Sequence, residues 1–113
     1  MVEIGVPGKN ALTWMERCLM HTVTWTIKPN EGTSRQDIEY ELEASKGDYS
    51  GGAGLQRLLL GVASDNGTVI EISLWESKAA ADAFFSRSWE AAVSRRWLAA
   101  PMSRQDWDTP SML

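Results

Sequence analysis

The sequence predicts a single α+β domain with the ferredoxin-like order β-α-β-β-α-β. Its length of 113 residues suits one domain with one core. Stretches in which apolar and polar residues alternate are separated by stretches with helical spacing, and an Asn-Gly pair marks a tight turn between two strands. Two β-α-β halves joined by such a hairpin give the ferredoxin-like arrangement. We assign residues 20–113 to this domain and residues 1–19 to an N-terminal extension.

Composition and charge exclude several classes of protein. With 43% hydrophobic and 23% charged residues, the chain is globular rather than disordered or collagen-like. No uncharged apolar run reaches the ~18 residues of a membrane helix. The net charge of −4 argues against a nucleic-acid partner, which a basic excess would favour. Cys18 is the single cysteine, so we expect no disulfide within the chain and a reducing, cytoplasmic location.

Local signals predict the first elements. Residues 11–19 suit a short helix within the extension. Residues 20–28 alternate as a strand. One face of that strand carries His21, Val23, Trp25 and Ile27. Ser34 then predicts a capped helix over 35–46, because Asp37 follows it at the spacing of a capping box.

The middle of the chain predicts a hairpin. The glycine-rich segment 49–54 is expected to be a flexible connection. Strands over 55–63 and 68–76 flank the turn Asp65-Asn66-Gly67. In the second of these strands, one face carries Ile70, Ile72 and Leu74, and the other carries Glu71, Ser73 and Trp75.

The last third of the chain predicts two helices and a final strand. Ser77 caps a helix that extends to Phe85. Ser88 starts the next helix, and the pair Ala100-Pro101 stops it. Residues 103–108 form the final strand.

Two ionisable side chains on the predicted strands are candidates for acid–base chemistry. Histidine changes its charge near neutral pH, so His21 is either a general base or a hydrogen-bonded structural residue. Glu71 lies between apolar neighbours, where a carboxylate is costly to bury without a partner. It is either a pocket acid or base, or half of a structural pair with Arg57 on the neighbouring strand. The sequence has no metal-ligand cluster, phosphate-binding glycine loop or nucleophile elbow, so we expect no metal and no nucleotide cofactor.

From residue 20 to residue 110 the chain resembles the YdhR-like family of small monooxygenases. This family belongs to the dimeric α+β-barrel superfamily, together with proteins like the antibiotic biosynthesis monooxygenases. Four segments carry the resemblance in order: Gly54-Leu55-Gln56-Arg57, the strand-to-helix junction 74–85, Ser88-Trp89-Glu90 and Asp108-Thr109-Pro110. The chain departs from the family at Ile70-Glu71, where a Gly-Gly pair is common.

The resemblance implies an architecture and a reaction class. Two four-stranded sheets pack face to face as a homodimer, and each subunit holds a ligand pocket between its sheet and its helices. Related quinol and anthrone monooxygenases need no metal or flavin, because the substrate's own carbanion reduces dioxygen. Haem is disfavoured, since residues 79–89 lack the histidine that haem-degrading relatives use. We expect His21 or Glu71 to be the base, and substrate contacts from Trp25, Arg57, Ser73, Trp75, Phe84 and Trp89.

These observations lead to two classes of function. The first is a cofactor-independent, monooxygenase-like tailoring enzyme that acts on a small aromatic or polyketide-like substrate. A cyclase or isomerase on the same scaffold would need the same residues and would differ in its independence of dioxygen. The second class is a non-catalytic barrel that binds a small ligand, as in a stress response. In both classes the expected partner is a second copy of the chain, with neither nucleic acid nor membrane.

Overall fold

The computed structural model describes residues 19–64 and 67–111, so the predictions for residues 1–18 and for Asp65-Asn66 lie outside the described residues. In chain order the elements are β1 (Met20–Ile27), α1 (Arg35–Ala44), a 3₁₀ helix (Ser45–Tyr49), β2 (Leu55–Val62), β3 (Val69–Trp75), α2 (Lys78–Phe84), α3 (Arg87–Arg96) and β4 (Met102–Thr109). The strand ends lie within one residue of the predicted ends. The order is the predicted β-α-β-β-α-β, with two consecutive helices before the final strand.

The four strands form one antiparallel sheet in the order β2-β3-β1-β4. The register sets His21 opposite Trp75, and Trp25 opposite Glu71. Directly opposite residues project to the same face of a sheet, so these side chains of β1 and β3 share one face. The chain therefore has the ferredoxin-like α+β fold that the sequence predicts.

The helices cover one face of this sheet. On β1 the buried residues alternate from His21 to Ile27, as predicted. On β3 the buried residues are Val69, Glu71, Ser73 and Trp75. The apolar face of β3, which includes Ile70, is half-buried or exposed. The two predicted faces of β3 are thus confirmed, and the face that the helices cover carries Glu71.

Serine caps begin the three α-helices in the described part of the chain. The hydroxyls of Ser34, Ser77 and Ser86 each accept a hydrogen bond from the backbone N–H three residues later, at 3.0 to 3.2 Å. The prediction that Ser88 starts the last helix is wrong, because Ser86 makes this cap and the helix begins at Arg87.

Helix α2 ends one residue before the predicted Phe85, and two helices end earlier than predicted by two or more residues. Helix α1 ends at Ala44, and the chain tightens into the 3₁₀ helix, whose last residue, Tyr49, is buried. The prediction that Tyr49 belongs to a flexible connection is wrong, because this residue lies in the 3₁₀ helix and its side chain is buried. Helix α3 ends at Arg96, ahead of the proline, because Leu98 and Ala99 adopt left-handed φ angles of 56° and 60°.

The covered face contributes to two apolar clusters. The first consists of Ile27, Ile38, Leu42, Val69, Val93, Trp97 and Ala100. The second consists of Val23, Trp25, Tyr49, Trp75, Ala81 and Phe85. Glu71 lies on β3 between Val69 of the first cluster and Trp75 of the second. Within the described residues, no helix has the length and apolar character that crossing a membrane requires.

Candidate functional site

Glu71 is a carboxylate in the interior of the subunit. Its side chain is 1% exposed, so it is buried within the subunit rather than lying at the surface. The predicted ligand cavity around it stays a prediction. Tyr49 Oη donates a hydrogen bond of 2.8 Å to Glu71 Oε1, whereas Oε2 has no partner among the described residues. Burial raises the pKa of Glu71 to about 7 and the charge of Asp48 adds to the rise, whereas the hydroxyl groups of Tyr49 and Ser45 and the charge of Arg96 lower it. Glu71 can therefore take up and release a proton near neutral pH.

Tyr49, the hydrogen-bond partner of Glu71, was not predicted from the sequence. Burial, and then the charge of Glu71, raise the pKa of the Tyr49 hydroxyl above its usual range, so it remains protonated and acts as a donor. No pattern marks it in the sequence, because it follows the end of α1 and precedes a glycine-rich segment. Its position depends on the 3₁₀ helix, which turns the side chain towards the sheet.

Arg57 does not pair with Glu71. The register sets Arg57 opposite Leu74 and sets Leu60 opposite Glu71, with an irregularity in β2 between Leu55 and Arg57. Opposite residues share a face, so Arg57 lies with Leu74 on the face that the helices leave uncovered, and it is exposed. The predicted structural pair, and the predicted contact of Arg57 with a substrate in the interior, are therefore wrong.

Six aromatic rings pack together beside Glu71. They belong to Trp25, Tyr49, Trp75, Phe84, Phe85 and Trp89, with centroid distances from 4.7 to 6.0 Å. Four of them are residues that the sequence predicted as substrate contacts, and the structure brings those four together. The ring of Trp25 already contacts Phe85 and Trp89, at 5.7 and 5.6 Å. In this state its ring is engaged by protein rather than open for stacking.

Ser73 and Trp75 are bound to each other. Trp75 Nε1 donates to Ser73 Oγ at 2.8 Å, and Ser73 Oγ donates to the carbonyl of Val23 at 3.3 Å. Both side chains are fully buried. These bonds fix the orientation of the Trp75 ring, so Trp75 is a rigid wall of the aromatic cluster and Ser73 is its anchor.

His21 lies in a separate, charged cluster. Its Nε2 is 2.6 Å from Asp106 Oδ2, and Arg104 binds the same carboxylate at 2.8 and 2.9 Å. Burial tends to raise the pKa of Asp106, but Arg104 and His21 outweigh it and lower this pKa. His21 and Glu71 stand four positions apart along the paired strands, roughly 13 Å. The two predicted bases therefore do not act on one atom.

A shallow depression of about 310 Å³ lies at the surface beside the aromatic cluster. It is lined by Gly51, Ala53, Glu76, Ala80, Ala83 and Phe84. Phe84 also stacks on Tyr49 at 5.7 Å and contacts Trp75 at 5.0 Å. Its ring thus separates the depression from the residue that binds Glu71. A larger groove of about 630 Å³ between α1 and β2 is lined by other residues and does not reach this carboxylate.

Among the residues that the structure describes, no group of histidine, cysteine and acidic side chains could hold a metal ion. The groups near Glu71 that can take part in chemistry are its carboxylate, the Tyr49 hydroxyl and the N–H group of Trp25, because the N–H groups of Trp75 and Trp89 already donate to Ser73 and Asp48. Proton transfer and hydrogen bonding to an aromatic guest are what this arrangement can perform.

No protein-family profile matches the chain, and no curated protein matches it. Solved structures do match. SnoaB from Streptomyces nogalater, described as a cofactor-independent oxygenase, is 10% identical over 83% of this chain and 96% of its own, with a TM-score of 0.65. A dimeric ferredoxin-like protein of unknown function from Thermobifida fusca is 9% identical over 80% of this chain and 92% of its own, with a TM-score of 0.64.

A third structure belongs to a dimeric protein of unknown function and ferredoxin-like fold from Bacteroides fragilis. It is 7% identical over 80% of this chain and 96% of its own, with a TM-score of 0.61. At these identities the likeness shows a shared fold. It agrees with the fold that the register and the strand order establish.

Proposed function

We propose that this chain is a cofactor-independent oxygenase that acts on small aromatic, polyketide-like substrates. The observation that carries the proposal is the buried carboxylate of Glu71, whose pKa is raised to about 7 and which lies beside six aromatic rings. A base of this kind is matched to the deprotonation of a phenol, an enol or an activated methylene group at neutral pH. The shared fold with a cofactor-independent oxygenase supports the same reaction class, as does the resemblance to the YdhR-like family.

In the proposed reaction the substrate supplies the electrons. Glu71 takes a proton from an anthrone-like CH₂ group or from its enol. The carbanion adds dioxygen, and the peroxide anion takes the proton back from Glu71. Glu71 then removes the remaining C–H proton, the O–O bond breaks, and hydroxide leaves and is protonated to water. The balance is one CH₂ group and one O₂ giving one C=O group and one H₂O, with no outside reductant.

The base is assigned to Glu71 rather than to His21. His21 Nε2 is held by Asp106, and the cluster continues through Arg104 to Asp82. Such a chain of ion pairs restrains the imidazole ring of His21 and occupies its Nε2 atom. Among the described residues no cation forms an ion pair with the Glu71 carboxylate, and its Oε2 atom has no hydrogen-bond partner. His21 is therefore a structural residue in this proposal.

Access is assigned to the surface depression next to Phe84. Rotation of this half-buried ring away from Tyr49 lets a planar substrate in from the depression. Trp75 stays in place because Ser73 anchors it, and Tyr49 keeps the carboxylate oriented. The substrate ring then takes over contacts that Phe84 makes in the free protein.

The working form is proposed to be a homodimer. The uncovered sheet face presents Leu59, Ile70 and Trp107, which are 56%, 37% and 48% exposed, beside the threonines of β1. A patch of this kind on a small monomer marks an interaction site. Two solved structures with this fold are described as dimeric. Packing two such faces together would bury roughly 1,500–2,500 Å².

The test is turnover of an anthrone by protein that has been dialysed against EDTA, with and without dioxygen. We expect oxygen uptake and quinone formation, and a loss of about 10²- to 10⁴-fold in Glu71→Gln. Activity that disappears on dialysis and returns with flavin or iron would contradict cofactor independence. Conversion of the substrate under argon would instead indicate a cyclase or isomerase that uses the same base.

A further inference from the structure

Two buried polar atoms in the aromatic cluster lack partners, and they are of complementary kinds. Trp25 Nε1 is a hydrogen-bond donor and Glu71 Oε2 is an acceptor, and neither has a partner among the described residues. The two side chains are 4% and 1% exposed, so bulk solvent does not satisfy them. Buried polar groups in native proteins are almost always paired, so such exceptions call for an explanation.

The two atoms belong to residues that face each other across the sheet. Trp25 on β1 is the register partner of Glu71 on β3, and both project to the covered face. Directly opposite side chains begin about 4.5–5.5 Å apart at Cβ. The indole N–H group and Oε2 do not bond to each other, and the other carboxylate oxygen, Oε1, accepts the hydrogen bond from Tyr49. One guest group between them would satisfy both atoms.

We infer that Trp25 Nε1 and Glu71 Oε2 form a niche that recognises the hydroxyl group of an aromatic ligand, either a phenol or the enol form of a ketone. A hydroxyl fits because it carries one donor and two acceptor lone pairs. An ether offers no donor to the carboxylate, and an ammonium group offers no acceptor to the indole. The inference rests on the proposed function and specifies its substrate class.

The niche also gives Trp25 a role in proton transfer. When Glu71 Oε2 takes the hydroxyl proton, the O–H bond breaks and its electron pair stays on the ligand oxygen. Trp25 Nε1–H then donates to this oxyanion, and a donor already fixed in a dry site stabilises developing charge effectively. Trp25 thus acts through its N–H group. Its ring is held by contacts with Phe85 and Trp89, which keeps the donor in position.

The test compares two ligands that differ only at the hydroxyl group. The full chain is titrated by calorimetry with 2-naphthol and with 2-methoxynaphthalene, at pH 8, where Glu71 is ionised. We expect 2-naphthol to bind about tenfold more tightly. Trp25→Phe retains an aromatic ring and removes the donor, so it should abolish most of this preference, measured as the ratio of the two affinities in the same variant.

Trp97→Phe is the matched control. Trp97 Nε1 is also buried without a partner, but it lies in the other apolar cluster, so this variant should keep the full preference. Equal binding of the two ligands to the wild-type chain, or binding of neither, would overturn the niche. That comparison holds even if Trp25→Phe does not fold. A preference that survives in folded Trp25→Phe would overturn it as well.

Oxygen uptake with an anthrone separates this inference from the proposed function. Oxygen uptake by a chain that shows no preference for 2-naphthol would rule out the niche and leave the proposed oxygenase function standing. A preference for 2-naphthol that depends on Trp25, without oxygen uptake, would leave the niche as a binding site and remove the oxygenase.

Discussion

Replacing Glu71 by Gln should remove a loss of stability that the wild-type protein undergoes as the pH rises. In the unfolded chain this carboxyl group titrates at the ordinary value of 4.5, whereas burial raises its pKa in the folded state to about 7. Between these values the folded state binds one proton more than the unfolded state. The free energy of unfolding therefore falls with increasing pH across this window and is unaffected by this group on either side of it.

The magnitude follows from the size of the window. Each pH unit corresponds to 1.36 kcal/mol, so the ionisation of Glu71 removes about 3 kcal/mol of stability by pH 7. Gln stays neutral and still offers an oxygen to the hydroxyl of Tyr49. Its amide N–H₂ group adds an offset that does not depend on pH. The quantity to follow is thus the change with pH in the stability difference between the two proteins.

The assay is urea unfolding followed by tryptophan fluorescence from pH 5 to pH 8, at one protein concentration, because an oligomer's stability depends on concentration. Relative to wild type, Glu71→Gln should gain about 2–3 kcal/mol between these limits. Glu31→Gln alters an exposed carboxylate and should follow the wild-type curve. If the curves of Glu71→Gln and wild type run parallel, Glu71 is not a base that titrates near pH 7.

Three further substitutions test the entrance, the uncovered face and the charged cluster. Phe84→Ala should raise the association rate of 2-naphthol several-fold in stopped-flow fluorescence, because it removes the ring that separates the depression from Tyr49; an unchanged rate would contradict access at this point. Leu59→Glu charges the uncovered sheet face and should reduce the sedimenting mass to that of one 12.6 kDa chain. A Leu59→Glu protein that still sediments as a dimer would exclude this face. His21→Gln should lower the free energy of unfolding by about 1–3 kcal/mol and keep turnover within about twofold; a loss of about 10²-fold would return the role of base to His21.

The strands and their faces could be predicted because the period-two pattern reports directly on the pleat. The alternation from His21 to Ile27 and the two faces of β3 appear in the structure as predicted. Helix ends were less predictable. The cap moved from Ser88 to Ser86, since both serines satisfy the same local rule. The end of α3 depends on left-handed φ angles at Leu98 and Ala99. Neither residue is a glycine, which is the residue type that would have predicted such angles.

The site was predictable only in part, for a physical reason. Sequence pattern identifies which residues of one strand share a face, and this brought Glu71 together with Ser73 and Trp75. It does not give the register between strands, and a bulge in β2 moves Arg57 to the other face. Nor does it show which side chain from a turn reaches the interior, so Tyr49 was found only in the structure.

Because Arg57 does not pair with Glu71, this carboxylate suits proton transfer. Asp106 shows what a bound cation does: Arg104 contacts it and, with His21, lowers its pKa despite burial. A carboxylate with such a partner is a poor base near pH 7. Glu71 has instead a neutral donor, Tyr49, and an unpaired oxygen, and its pKa remains raised.

Packing alone does not account for a carboxylate at this position. Gln would occupy the same volume and accept the same hydrogen bond from Tyr49 without the loss of about 3 kcal/mol above pH 7. That loss is a large fraction of the 5–15 kcal/mol that typically stabilises a domain. What the carboxylate adds is a proton that exchanges near neutral pH, next to an indole donor and within an aromatic cluster. The proposed function, proton transfer to and from an aromatic guest, would use this property.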